Sequence, residues 1–186
     1  EVNAGGTFNV LEAARLFGVK RVVYTSTIAS YGLGLHTVDE DTIQMPISMY
    51  GVTKVFSERL GEYYQRKFGV DFRAVRLPSI IGPGRGAGGA SAYSTLMISE
   101  PALKRPYSVF VEEDVIMPLL YIKDCVDCLI GLYEADNAKL KRRVYAIAGF
   151  SPTAKEIYDE VKRILPKADI KFKPDKELTE IVRSWP

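Results

Sequence analysis

Tyr50 and Lys54 stand four residues apart in the stretch YGVTK. On a helix, that spacing puts both side chains on one face. A free tyrosine ionises near pH ~10, so it serves as a general base near neutrality only with help. A place in the first helical turn gives one form of help, because the backbone dipole there favours negative charge. An ammonium alongside gives another. Two surface residues on an ordinary helix read the same way, so the pair needs context. Upstream, VVYTSTIASYG reads as a strand whose end carries three hydroxyls, Thr25, Ser26 and Thr27. The carboxyl ends of parallel strands are where open α/β sheets bind ligands. A hydroxyl there is placed to hold the oxygen that Tyr50 deprotonates; the plainer reading of the three is strand-end capping.

The elements that must position these groups follow from periodicity and breakers. Residues Val2 to Phe17 read as a helix stopped by Gly18, and Arg21 to Thr27 as a short strand. From Ile28 to Met49 the chain is loop-like. Tyr50 to Phe68 is a long helix with Gly69 as its stop, and VDFRAVRL is the next strand. A glycine-rich loop, a helix and the strand YSVFV come next. MPLLYIKD leads into a helix from Asp124 to Glu134, RRVYAIAG is a strand, and Ser151 opens a helix with Pro152 in its first turn. No terminal element is expected after that. The alternation predicts an α/β fold with a largely parallel sheet.

The glycine-rich loop, GPGRGAGGAS, contains G-x-G-x-x-G at Gly84, Gly86 and Gly89. A dinucleotide fingerprint needs that pattern after a strand that is central and apolar throughout. Here the strand carries Arg73 and Arg76 and is closed by Pro78, and Pro83 stiffens the loop. The loop is therefore read as close-packed backbone near a ligand rather than as the pyrophosphate site.

Composition excludes several classes. The chain has 186 residues and a formal net charge of +2, with no Lys/Arg run to suggest a nucleic-acid partner. No apolar run approaches the ~18 residues of a membrane span, and a cytoplasmic protein is expected. The two cysteines, Cys125 and Cys128, lie in an apolar helical pattern and read as reduced packing residues. With His36 the only histidine, they cannot complete a zinc site, and no metal is expected.

Taken together, VNAGGTFNVLEAAR, VYTSTIASYG, YGVTK and VRLPSIIGPG resemble the extended short-chain dehydrogenase/reductase (NAD-dependent epimerase/dehydratase) family, in its order and near its spacing. The resemblance covers essentially the whole chain. It implies Tyr50 as catalytic acid/base, Lys54 as its activator and ribose contact, Thr27 as the hydroxyl that orients the substrate, and Asn3 as support for a proton relay. Leu77, Pro78 and Ser79 would line the nicotinamide, with Thr25 beside the cofactor, and Gly88, Ser91 and Tyr93 would meet the substrate. The cofactor would be NAD, with NADP open. The family's own glycine loop lies ahead of Glu1, so tight dinucleotide binding by this chain alone is not expected. The resemblance further implies the C-terminal part of a Rossmann-type sheet in residues 1–83 and a small substrate lobe in 84–186, with returning Rossmann elements at about 115–150. It also implies a homodimer through helices 2–17 and 50–68.

The C-terminal third is most similar to the L-threonine 3-dehydrogenase branch, through MPLLYIKDCVDCLIGLYEAD, YAIAGFSPTAKEIYDEVKRILP and IVRSWP. The substrate loop differs: that branch has G-G-T-T-D-Y-A where this chain has GGASAYS, with Ala90, Ser91 and Ala92. Loss of a carboxylate and a hydroxyl from a polar pocket shifts specificity. ASAYSTLMISEPAL resembles sugar-acid dehydrogenases of the same family. L-threonine oxidation, uronate or aldonate oxidation, and nucleotide-sugar 4-epimerisation are thus the activities expected, with a non-catalytic nucleotide sensor as the reading outside enzymes.

Overall fold

The computed structural model describes residues 1–35 and 37–186; His36 lies outside the described residues. The chain divides into two compact units, Glu1–Pro78 with Lys123–Ile147 and Pro186, and Ser79–Ile122 with Ala148–Trp185.

In the first unit, α1 (Val2–Leu16), β1 (Arg21–Thr27), α2 (Met49–Phe68), β2 (Asp71–Leu77), the greater part of α4 (Ile122–Glu134) and β6 (Val144–Ala146) form an α/β arrangement. The sheet is parallel, in the order β1-β2-β6, with Thr25 opposite Val75 and Thr27 opposite Leu77. Helix α2 starts because the Ser48 side chain accepts from the Gly51 amide at 3.1 Å, which satisfies one of its free N–H groups. It ends at Gly69, whose φ of 73° is a left-handed conformation that glycine adopts without penalty. The core joins Leu11 and Ala14 of α1 and Tyr64 of α2 to Phe72, Ala74 and Val144 of the sheet.

One expectation changes here and one holds. Strand β2 is central, and Arg73 and Arg76 are fully buried in it. They are tolerated because each is paired. Arg73 donates to Asp71 and to the carbonyls of Leu132 and Ala135 at the end of α4, and Arg76 bonds Glu58. Arginine in this strand therefore did not mark it as peripheral. Pro78 does end the strand at Leu77, and the chain resumes as β3 (Ser79–Ile81) in a different sheet.

The second unit pairs β3 with β5 (Leu119–Tyr121) and β4 (Tyr107–Val109) with β7 (Ile170–Phe172), both parallel. Its helices are α3 (Ala92–Ala102), α5 (Ala154–Ile164) and α6 (Lys176–Arg183). Tyr93, Met97, Val109, Met117, Ile157 and Val182 meet in its core. Helix α5 is capped by Thr153 rather than Ser151, in a reciprocal box with Glu156. The C-terminus does carry an element: α6 begins where the Asp175 side chain accepts from the Leu178 amide. Cys125 is buried and Cys128 half-buried, both free thiols that burial pushes up in pKa. No helix among the described residues is long and apolar enough to cross a membrane.

Candidate active site

Tyr50 is the second residue of α2, and Lys54 lies one turn on. The Lys54 ammonium donates to the Thr25 carbonyl at 2.7 Å. It also sits 4.7 Å from the centroid of the Tyr24 ring and 5.6 Å from that of Tyr50, where the π-faces attract a cation. One of its three N–H donors is thus committed. Tyr50 is 48% exposed.

The helix is brought this close to the end of β1 by Gly51. A Cβ there would lie 2.2 Å from the Ala29 carbonyl oxygen and 2.6 Å from Pro46 Cβ. Behind Lys54, one further turn along, Glu58 is completely buried. It pairs with Arg76 of β2 at 2.9 Å, accepts from Gln44 at 3.0 Å and takes the Ser26 hydroxyl. Arg76 also donates to the Tyr31 hydroxyl at 2.9 Å. Strand β1, strand β2 and helix α2 are therefore locked together directly beneath Lys54.

Asn3 of α1 donates to Thr53 Oγ1 at 3.2 Å, and Thr53 donates to the Tyr50 carbonyl at 2.8 Å. Asn3 thus reaches Tyr50 through Thr53, not directly. Thr27 accepts from the Ala29 amide at 3.2 Å, capping the short 3-10 turn Ile28–Ser30, and its hydroxyl proton remains to donate. Leu77 lies beside it in register, and Pro78 follows. The sequence patterns that single out Tyr50 and Lys54 do not reach Tyr24, Thr53, Glu58 or Arg76. Glu58 continues the i, i+4 face of Tyr50 and Lys54, and that spacing was the available signal.

The remaining candidates lie in the second unit. The Ser79 hydroxyl is buried with no partner among the described residues. Ser91 precedes α3 without capping it through its side chain, which instead accepts from Arg85 at 2.7 Å. Tyr93 is wholly in the core, 5.7 Å from the Phe110 ring, with its hydroxyl unpartnered. Gly88 is exposed. Only the first glycine of the loop is closely packed: a Cβ at Gly82 would lie 2.4 Å from Ile122 Cγ2, whereas at Gly84, Gly86, Gly88 or Gly89 it would meet nothing within 4 Å. The loop also follows β3, a strand outside the three-stranded sheet, so its G-x-G-x-x-G does not occupy the strand–turn–helix place of a pyrophosphate site in that sheet. Among the described residues no cluster of three His, Cys, Asp or Glu side chains is placed to hold a metal.

These residues fit one end of a dinucleotide. An anchored ammonium with spare donors, at the carboxyl end of a parallel sheet, suits ribose hydroxyls. The model of the NAD dependent epimerase/dehydratase family matches residues 1–148. An uncharacterised epimerase/dehydratase from Staphylococcus haemolyticus is 35% identical over all of this chain and 59% of its own length. Among solved structures, an L-threonine dehydrogenase from Phytophthora infestans is 39% identical with a TM-score of 0.90, covering the whole chain and 61% of that protein. The holo form of a GalE-like L-threonine dehydrogenase from Cupriavidus necator is 32% identical with a TM-score of 0.93, again over the whole chain and 61% of that protein. This chain thus spans about three fifths of the length of the relatives it matches. It belongs to the NAD-dependent epimerase/dehydratase family.

Proposed function

We propose that the chain carries the catalytic residues of an NAD-dependent oxidoreductase that oxidises a small secondary alcohol, with L-threonine, converted to 2-amino-3-ketobutyrate, as the first candidate. The observation that carries this reading is the Lys54 ammonium, pinned by the Thr25 carbonyl beside the Tyr50 ring at the end of a parallel strand. Similarity to threonine dehydrogenases above 30% identity supports the substrate. In this reading Thr27 donates to the substrate oxygen and holds the carbinol in place. Tyr50, as phenolate, takes the hydroxyl proton, and Lys54 stabilises that phenolate. The proton then leaves to water, which the exposure of Tyr50 permits. Asn3, through Thr53, fixes the start of α2 so that Tyr50 keeps its place. The nicotinamide, when bound, supplies the acceptor for the hydride from the carbinol carbon. Lys54 and Thr25 would meet its ribose, with Leu77, Pro78 and Ser79 lining the ring.

The first unit serves as the dinucleotide half in this reading and the second as the substrate lobe, with Gly88 and Ser91 for substrate contact. Ala90 and Ser91 in the loop and Ala92 at the start of α3 favour a second substrate class, uronates and four-carbon aldonates. Exposed Phe8 and Val10 on α1, and Val52, Phe56 and Tyr63 on α2, support a homodimer through these helices. The test is NADH formation by the complete gene product from L-threonine, a uronate and an aldonate. Tyr50→Phe should lower kcat/KM by about 10²–10⁴-fold. A Tyr50→Phe enzyme that keeps its rate would overturn the assignment, and interconversion of a UDP-sugar without NADH release would make the protein a 4-epimerase.

A further inference from the structure

Arg85 is a half-buried cation without an anion. Its Nη1 donates to the Ile80 carbonyl at 2.8 Å and its Nη2 to Ser91 Oγ at 2.7 Å, both neutral acceptors. Its Nε is buried with no partner, and no carboxylate pairs with it among the described residues. Arginine stays protonated in proteins, so the charge is not relieved by losing a proton. Burial holds its pKa below the ordinary value, and nothing offsets that. The contrast inside this molecule is informative: the buried guanidiniums of Arg73 and Arg76 each have a carboxylate.

The surroundings are laid out for a small anion. The Ser91 hydroxyl accepts from Arg85, so its own proton is free to donate outward. Ser91 stands directly ahead of α3, an eleven-residue helix with no acid in its first turn and no side-chain cap, whose amide end favours negative charge. Beside it, the Nε of Arg85 stays buried with no partner among the described residues. Buried polar atoms without partners call for a ligand or ordered water. The glycines flanking Arg85 leave open space rather than packed backbone. From Ser79 to Leu103, Arg85 is the only Lys or Arg. One guanidinium balances one carboxylate and leaves a diphosphate under-compensated.

We infer that Arg85 and Ser91 form a carboxylate-binding site that selects acids over neutral alcohols. The inference rests on the proposed function only in taking that carboxylate to be the substrate's, since L-threonine, aldonates and uronates all carry one.

The test compares the complete gene product with its Arg85→Met and Arg85→Lys variants, on L-threonine and a four-carbon aldonate beside their carboxamides. Arg85→Met should raise KM for the acids about ten- to a hundredfold, as loss of a charge-assisted contact does. KM for the amides and kcat should stay put, and Arg85→Lys should recover part of the loss. Acids and amides weakened alike would mean that Arg85 only staples the loop, which overturns the inference. So would a wild-type enzyme indifferent to the carboxylate. Thermal shift with the same acids, amides and UDP decides the matter if no acid is turned over. Stabilisation by acids that vanishes in Arg85→Met sustains the site while the dehydrogenase reading fails. Stabilisation by UDP alone, lost in Arg85→Met, assigns the cation to a diphosphate and overturns the carboxylate.

Discussion

Glu58→Gln is expected to be among the most damaging single changes in the first unit. The Glu58 and Arg76 side chains are 0% and 2% exposed, and they meet at 2.9 Å. Arg76 has other bonds, to the Tyr31 hydroxyl and, at 3.3 Å, to the Glu40 carbonyl, but both acceptors are neutral. Glutamine keeps the shape and removes the charge, which strands the guanidinium in the core. Breaking a buried pair in this way costs about 3–5 kcal/mol, whereas exchanging both partners for apolar residues of similar volume costs far less. With a urea slope of about 2 kcal/mol/M, the unfolding midpoint falls by roughly 1.5–2.5 M. Far-UV circular dichroism is the appropriate signal, because the single tryptophan, Trp185, belongs to the second unit. Glu58→Leu with Arg76→Met should cost clearly less than the sum of the two single changes. A loss below about 1 kcal/mol for Glu58→Gln, or an additive double variant, would mean that the pair behaves as a solvated surface bridge and not as a buried one.

Gly51→Ala is expected to cost about 1–3 kcal/mol of stability in urea unfolding, because its Cβ meets backbone at Ala29 and cannot be accommodated by a rotamer change. The same variant should lose turnover in the NADH assay, since Tyr50 precedes the displaced residue. Burial works to raise the Asp71 pKa, but hydrogen bonds from Arg73 and Arg21 outweigh it and hold the carboxyl below its usual range. A depressed folded pKa contributes stability that is fully present above the unfolded value of about 4 and is lost as pH falls through the lower folded value. Urea midpoints taken from about pH 6 down to pH 3 should therefore drop more steeply for the wild type than for Asp71→Asn.

What the sequence made legible depended on how local the signal was. Tyr50 and Lys54 are four residues apart on one helix, and Gly69 and Pro78 act on their own backbone, so these read directly. Arg73 and Arg76 did not, because their tolerance in β2 depends on Asp71, on α4 carbonyls and on Glu58, and all but Asp71 lie far away in the chain. Strands β5 and β7 are three residues each, too short for alternation to show. Ser151 and Pro152 point to a cap of α5 at Ser151, yet the reciprocal bond with Glu156 requires the residue three before it, Thr153. Helix α6 hid in a charged stretch, although Asp175 followed by Lys-Glu-Leu is a start signal. The glycine loop suggested tight packing, which only Gly82 shows, and the lack of a carboxylate beside its one arginine is visible only in three dimensions.

In the proposed function, Tyr50 removes a hydroxyl proton as the carbinol carbon gives up its hydrogen to the nicotinamide. The most direct test is to supply the complete gene product with NAD and L-threonine, or the aldonate, deuterated at the carbinol carbon, and to weigh the free reduced cofactor by mass spectrometry. One deuterium is expected in the released NADH, formed by the wild type and not by Tyr50→Phe. Cofactor that stays oxidised, or NADH that carries no label, would contradict it.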